Sequence, residues 1–312
     1  MKIALVFPGQ GSQYIGMGKE MAEKFPVAKE VFQEADDALG YSITEIAFAG
    51  PEEELIKTNN TQPAILTTSY ACFKVFEQHG IKGEVLAGHS LGEYSALVAS
   101  GAVDFKDAVK IVNKRGQYMA DAAPMGTAGM AAILGLDKEP LKQVCLEAAS
   151  VGIVEPANYN CPGQIVIAGE NAALDKAMEL ALAAGAKRAI KLNVSGPFHS
   201  SLIKRAGERL SLELEQIQIN NPQVPVVVNI TAEEIFGAED IIPSLVDQVS
   251  NSVRWDESVE RMIAMGVDTF VEVGPGKVLS GLIKKINKGV TILNVEDSES
   301  LQKALDKLLE VV

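Results

Sequence analysis

Apolar positions along this chain fall into two alternating patterns. Short apolar runs at 3–7, 84–87, 224–229, 269–273 and 290–294 read as strands buried on both faces. Longer stretches with helical patterning lie between them, at 17–24, 26–39, 63–79, 91–100, 105–122, 200–216, 241–248, 255–265 and 278–286. Gly80 and Gly101 supply stop signals, and Asp104 is placed as an N-cap. Strands that alternate with helices predict a mainly parallel sheet covered on both faces. The loops after the strands should then line the site.

The rhythm changes between residues 126 and 193. A strand at 129–136, a helix at 138–150, strands at 153–159 and 164–168, a helix at 171–184 and a strand at 187–192 follow in order. The two middle strands flank the turn Asn160-Cys161-Pro162-Gly163. This β-α-β-β-α-β order is that of a ferredoxin-like unit. The expected fold is α/β: a large α/β-hydrolase-like domain formed by residues 1–125 and 196–312, with a small ferredoxin-like subdomain inserted at 126–195.

Bulk composition narrows the function. The chain has 312 residues, 47% hydrophobic and 22% charged, and a net charge of -13. That is ordinary for a globular protein and argues against nucleic acid as a partner. The N-terminal apolar run is too short for a signal peptide, and no run approaches a membrane span. Three cysteines, Cys72, Cys145 and Cys161, have no metal-ligand spacing and suit reduced, buried thiols in a cytoplasmic protein; Cys161 beside Pro162 is the one with a reactive reading. No metal site is expected. Two basic clusters stand out, Lys187-Arg188 with Lys191 and Lys284-Lys285 with Lys288. Each is either a solvated face or a docking patch.

The sequence Gly88-His89-Ser90-Leu91-Gly92 fits the G-x-S-x-G nucleophile elbow, with a strand before it and a helix after it. Such a turn presents a serine at a helix N-terminus, where N–H groups face developing negative charge. The serine needs a base, and the chain has three histidines. His89 adjoins Ser90 and its side chain should diverge. His79 sits at a helix end before Gly80 and reads as a cap. His199 follows Val194-Ser195-Gly196-Pro197-Phe198 at the insertion boundary, where clefts form, and is the expected base. Arg115, in the helix at 105–122, is either solvent-exposed or a bidentate clamp for a carboxylate.

With these residues in view, the chain resembles the malonyl-CoA:acyl carrier protein transacylases of bacterial fatty acid synthesis along nearly its whole length. The resemblance rests on Phe7-Pro8-Gly9-Gln10-Gly11-Ser12-Gln13, Gln62-Pro63-Ala64, the elbow with Glu93-Tyr94, Asn158-Tyr159-Asn160, Pro162-Gly163-Gln164, Pro197-Phe198-His199-Ser200 and Glu272-Val273-Gly274-Pro275-Gly276. It implies a ping-pong reaction. Ser90 takes malonyl from malonyl-CoA, and the phosphopantetheine thiol of acyl carrier protein then takes it from Ser90. It further implies that His199 is general base and acid, that the N–H groups of Gln10 and Leu91 form the oxyanion hole, and that Arg115 pairs with the malonyl carboxylate. The backbone of Gln248 would orient His199, so Asp247 is no triad member. Phe198 would select against an α-methyl branch. Gln62 and Asn160 are expected to line the pocket, and Lys187 with Arg188 to meet the carrier. No cofactor is expected, and the chain is expected to be a monomer. The alternatives are a free-standing acyltransferase serving a polyketide synthase, a serine thioesterase or hydrolase without the carboxylate clamp, and an inactive docking module.

Overall fold

Ile3–Phe7 are buried along their whole length, and their side chains alternate between two cores. Leu5 and Phe7 pack into one, Ala4 and Val6 into the other. A strand covered on both faces can afford no polar position, which is why the sequence shows an unbroken apolar run. In a computed structural model, which describes residues 1–124 and 126–309, this strand is β1. It is followed by β2 (Val85–Gly88), β3 (Ala128–Leu134), β4 (Val154–Cys161), β5 (Gln164–Glu170), β6 (Arg188–Lys191), β7 (Val226–Val227), β8 (Glu234–Ile235), β9 (Thr269–Val273) and β10 (Thr291–Val295).

Two sheets result. The larger has the order β10-β9-β1-β2-β7-β8; its first five strands are parallel and β8 closes the edge antiparallel. The smaller has the order β4-β5-β3-β6 and is antiparallel throughout. The chain is thus a mixed α/β fold with a parallel sheet. The small sheet has its own core, built from residues such as Ile133, Ile165, Ile167, Leu141 and Leu174. It is tied to the rest by backbone bonds from Val253 N to Ala157 O and from Tyr159 N to Val253 O, both 2.9 Å. Lys138 adds ion pairs to Asp256 at 2.9 Å and Glu257 at 2.8 Å.

The helices are α1 (Lys19–Lys24), α2 (Pro26–Leu39), α3 (Ile43–Ala49), α4 (Glu52–Leu55), α5 (Thr58–Glu77), α6 (Gly92–Ala99), α7 (Phe105–Asp121), α8 (Lys138–Ala148), α9 (Asn171–Ala183), α10 (Lys204–Leu214), α11 (Ile241–Ser250), α12 (Trp255–Ala264), α13 (Val278–Ile286) and α14 (Ser298–Leu309). Most lie where the periodicity predicts, within a few residues. Helix α5 differs: it begins at Thr58 and carries Pro63 inside it, whereas the sequence suggested a start at Pro63. Proline cannot donate to the carbonyl four residues back. That carbonyl, Asn59 O, instead accepts Asn113 Nδ2 from α7 at 2.7 Å, so the helix continues through the proline. The strand expected at 224–229 shortens to Val226–Val227, and α3, α4, β8 and α14 are additional elements. Among the described residues, no helix is long and apolar enough to cross a membrane, and no group of three or more His, Cys, Asp or Glu is placed to hold a metal ion.

Main chain is packed most tightly where β2 meets α6. A Cβ on Gly88 would stand 1.9 Å from the carbonyl of Gly92, and one on Gly92 would stand 2.0 Å from Phe7 O. Neither neighbour is a side chain that can swing away. Gly92→Ala should therefore cost about 2–4 kcal/mol and lower the thermal unfolding midpoint by several degrees. Gly281→Ala is the control, because its methyl meets nothing within 4 Å on α13. It should leave the midpoint unchanged or raise it slightly.

Candidate active site

Ser90 lies between the end of β2 at Gly88 and the start of α6 at Gly92. Its φ is +52°, a left-handed conformation that costs a non-glycine residue about 1–3 kcal/mol. The Ser90 N–H donates to Asn229 Oδ1 at 2.6 Å, and the Ser90 carbonyl accepts Gln248 Nε2 at 3.1 Å. The strained turn is thus held from both sides.

Two of the expected partners converge on the serine. Ser90 Oγ is 2.7 Å from His199 Nε2 and accepts Arg115 Nη2 at 3.2 Å. His199 Nδ1 lies 2.7 Å from the main-chain carbonyl of Gln248. A carbonyl only accepts, so Nδ1 carries the hydrogen and Nε2 is left free to take a proton from Ser90. Asp247 is exposed and plays no part in this arrangement. Burial first, and then the positive charge of Arg115, push the His199 imidazole down to about 3. It is held neutral, the state a base requires.

Arg115 is 1% exposed, which excludes the solvated alternative. The reason is helical spacing: Ala108, Val112, Arg115 and Met119 share the buried face of α7. Next to it, Gly116 lets α7 approach α5, where a Cβ would come within 2.5 Å of Thr58 O. The guanidinium donates to Gln62 Oε1 at 2.8 Å and Gln248 Oε1 at 2.9 Å, and lies 5.4 Å from the ring centroid of Tyr94. Its Nε has no partner among the described residues. Its hydrogen-bond acceptors are all neutral, so this buried cation is available to a carboxylate. Burial pulls its proton affinity below the ordinary arginine value. Glu93, buried in the first turn of α6, is pushed up to about 7 by burial.

A cavity of about 110 Å³ opens over these groups, lined in part by Gln10, Gln62, Leu91, Arg115, Phe198 and His199. Among the described residues, the backbone N–H groups of Gln10 and Leu91 have no acceptor, as an oxyanion hole requires. Phe198 is buried against the cavity. Asn160 does not line it. It accepts His89 Nε2 at 2.8 Å, so His89, itself part of the cavity wall, is bonded to Asn160, and Asn158 rather than Asn160 reaches the wall. Along β4 successive side chains face opposite ways, but the irregular pairing between Tyr159 and Cys161 leaves 160 without a fixed parity.

Lys187 and Arg188 are exposed on β6 and its approach, outside this cavity. Leu192 and Val194, just beyond β6, do line it. His79 is exposed past the end of α5 and absent from the cavity wall. The three cysteines are free and buried, and burial raises each thiol, Cys161 included, so the reactive reading of Cys161 has no support. Sequence reasoning missed Glu93, Asn158 and Asn229. Asn229 lies two residues past the end of β7, the kind of position from which a parallel sheet builds its site, whereas Asn158 lies inside β4 of the small antiparallel sheet.

Comparison with known proteins gives concordant results. Residues 4–303 match a family model described as acyl transferase domain. The chain is 51% identical over 310 residues to the malonyl CoA-acyl carrier protein transacylase of Bacillus subtilis strain 168, covering 99% of this chain and 98% of that protein. It superposes on the crystal structure of the malonyl CoA-acyl carrier protein transacylase from Clostridium perfringens with a TM-score of 0.96 and 49% identity, covering 100% of this chain and 98% of that one. A malonyl-transacylase in complex with a type II polyketide acyl-carrier protein matches with a TM-score of 0.96 at 47% identity, covering 98% of this chain and 100% of that one.

The depressed His199 sets a pH signature. Because its affinity for protons is low, protonation should not remove the base until well below pH 5. The kcat/KM for acyl transfer should then lack the usual histidine limb near pH 6.5. Glu93 titrates near neutrality, so the profile is to be measured for wild type and for Glu93→Gln. A limb at about 6–7 that persists in Glu93→Gln would contradict the neutral, depressed imidazole.

Proposed function

The chain belongs to the acyl transferase domain family, and from that premise we propose that it moves a malonyl group from malonyl-CoA to the phosphopantetheine thiol of an acyl carrier protein, supplying fatty acid synthesis. The observation that carries this reading is a buried guanidinium, hydrogen-bonded to neutral groups alone, 3.2 Å from a serine oxygen that also contacts a neutral imidazole. A hydrolase of simple acyl esters needs the second contact but has no use for the first.

In this mechanism His199 Nε2 takes the Ser90 proton as Oγ attacks the thioester carbonyl. The N–H groups of Gln10 and Leu91 receive the oxyanion, and CoA leaves as a thiol with the proton from His199. The carrier thiol then attacks the malonyl-serine ester by the same steps in reverse. Arg115 binds the malonyl carboxylate in bidentate fashion, with Gln62 and the Gln248 side chain yielding one or both of their bonds. The Gln248 carbonyl orients His199. Phe198 fills the space next to the α-carbon and disfavours a branched acyl group.

The same reading extends to the architecture. The large parallel sheet and the elbow support a hydrolase-like domain at 1–125 and 196–312. The order β4-β5-β3-β6 with α8 and α9 on the chain between supports a ferredoxin-like insertion at 126–195. An acidic chain needs a local basic patch to receive an acidic carrier, and exposed Lys187 and Arg188, a few residues before the cavity wall, are proposed as part of it. A second client class is also favoured by an observation. The likeness to a transacylase bound to a polyketide carrier protein makes a polyketide synthase an alternative recipient.

Intact mass spectrometry after mixing with malonyl-, methylmalonyl- or acetyl-CoA tests the chemistry. Wild type should gain a malonyl adduct that carrier protein discharges, and Ser90→Ala should gain none. Arg115→Ala should lose roughly 1.5–3 kcal/mol of malonyl transition-state binding, about one to two decades in rate, with acetyl transfer relatively favoured. An unchanged malonyl-to-acetyl preference would refute the clamp. For docking, the Lys187→Glu, Arg188→Glu double variant should raise KM for carrier protein and leave malonyl loading from CoA unaltered. An unaltered carrier KM returns the pair to a solvated face.

A further inference from the structure

Strand β7 runs parallel to β2 with Ala87 opposite Val227, so the chain two residues beyond Val227 arrives beside the elbow. The residue there is Asn229, 0% exposed. All of its polar atoms are engaged. Its N–H donates to Glu93 Oε2 at 2.7 Å and its carbonyl accepts the Arg254 N–H at 3.0 Å. Its side-chain Oδ1 accepts the Ser90 N–H at 2.6 Å, and its Nδ2 donates to Gly88 O at 2.6 Å. One amide thus clamps the two residues that flank His89, the last residue of the strand and the nucleophile itself.

We infer that Asn229 is a positioning residue for the transfer reaction, one that holds Ser90 in its left-handed conformation and so aims Oγ at His199 Nε2. The argument is geometric. A φ of +52° at Ser90 is uphill for a serine, and fixing the peptide groups on both sides of His89 is what selects it. Gln248 completes the clamp, with Nε2 3.1 Å from Ser90 O and 3.4 Å from Asn229 Oδ1. Asn229 itself is anchored by Glu93, which sits three residues after Ser90, so the elbow and its brace are parts of one closed loop of hydrogen bonds. Asn229 contacts no reacting atom. It acts on rate through Ser90, and because the same serine serves both half-reactions, both depend on it equally.

The inference rests on Ser90 being the nucleophile, and the test keeps the two apart. Wild type, Asn229→Ala and Ser90→Ala are compared for single-turnover malonyl loading, with the adduct mapped by peptide mass. They are also compared for the second-order rate of modification by phenylmethylsulfonyl fluoride, a small neutral reagent that needs no carboxylate clamp. Both rates are normalised to the folded fraction measured by circular dichroism. Asn229→Ala should slow both about ten- to a hundredfold, with KM for malonyl-CoA and the malonyl-to-acetyl preference unchanged. A side chain that only stabilised the fold would reduce the folded fraction and leave the normalised rates alone, and that result overturns the inference. So does a raised KM at unchanged kcat. If Asn229→Ala fails to fold, Asn229→Ser decides by the same readouts, since one short hydroxyl cannot reach both Gly88 O and Ser90 N. A wild-type adduct on a residue other than Ser90, or an adduct on Ser90→Ala, refutes the nucleophile assignment instead.

Discussion

Main chain at the junction of β1, β2 and α6 occupies space that elsewhere holds side chains. Gly9 would place a Cβ 2.3 Å from His89 O, and Gly88 and Gly92 are as confined by Gly92 and Phe7. This close approach governs the rest of the site. Strands β1 and β2 are paired in parallel with Phe7 opposite Gly88, and Gln10 and Leu91, in the turns that follow them, line the same cavity. Their free N–H groups can therefore serve one oxyanion. The same confinement gives the main chain room for the sharp turn in which Ser90 is left-handed, and the Asn229 amide holds it there. Under the proposed function, nucleophile and oxyanion donors share one packing arrangement rather than being separate devices.

A second constraint is electrostatic. Arg115 is a buried cation whose hydrogen-bond acceptors carry no charge; the buried Glu93 carboxyl nearby, itself pushed up to about 7, offers only a partial counter-charge, and a buried charge so incompletely paired is costly. Arg115 also contributes to the depression of His199. Under the proposed function both effects have one remedy. A carboxylate delivered by the substrate compensates the guanidinium and cancels the field that opposes protonation of the imidazole. The base then gains proton affinity when the acyl group is in place. An acyl group without a carboxylate brings no such relief, so selectivity and catalysis draw on the same charge.

Much of this was legible in the sequence, because it is written in local patterns. The elbow, its strand and its helix depend on residues 85–99 alone. His199 emerged because so few histidines compete with it. Arg115 was ambiguous only while its helix was read without phase; its spacing from Ala108, Val112 and Met119 puts it on the buried face. Helix α3 was not predicted, although Ser42 caps its first turn, its Oγ accepting the Glu45 N–H at 3.0 Å. Helix α14 shows Leu301, Ala304, Leu305 and Leu308 at helical spacing. What no local pattern discloses is a contact made through sheet register. Asn229 lies 139 residues from Ser90 in sequence, and Asn59 reaches Asn113 across two helices. Asn160 turns to His89 because of an irregularity in strand pairing, and nothing in the chain marks it beforehand.

The choice of a carbonyl rather than a carboxylate to orient the base fits the chemistry proposed. A histidine bonded to a neutral Gln248 carbonyl gains less stabilisation of its imidazolium than one bonded to an aspartate. An enzyme that expels an amine needs that stabilisation, because its leaving group departs only with a proton. A thiol leaving group, with a pKa near about 8.5 as in cysteine, departs far more readily and asks less of the acid. The same thiol, as the incoming nucleophile, also gives up its proton more easily than water does. A modest base therefore favours exchange between thiols over attack by water. Placement of half-buried Ser90 beside buried His199 and Arg115 in one small cavity acts in the same direction, by limiting the water that can compete for the acyl-serine.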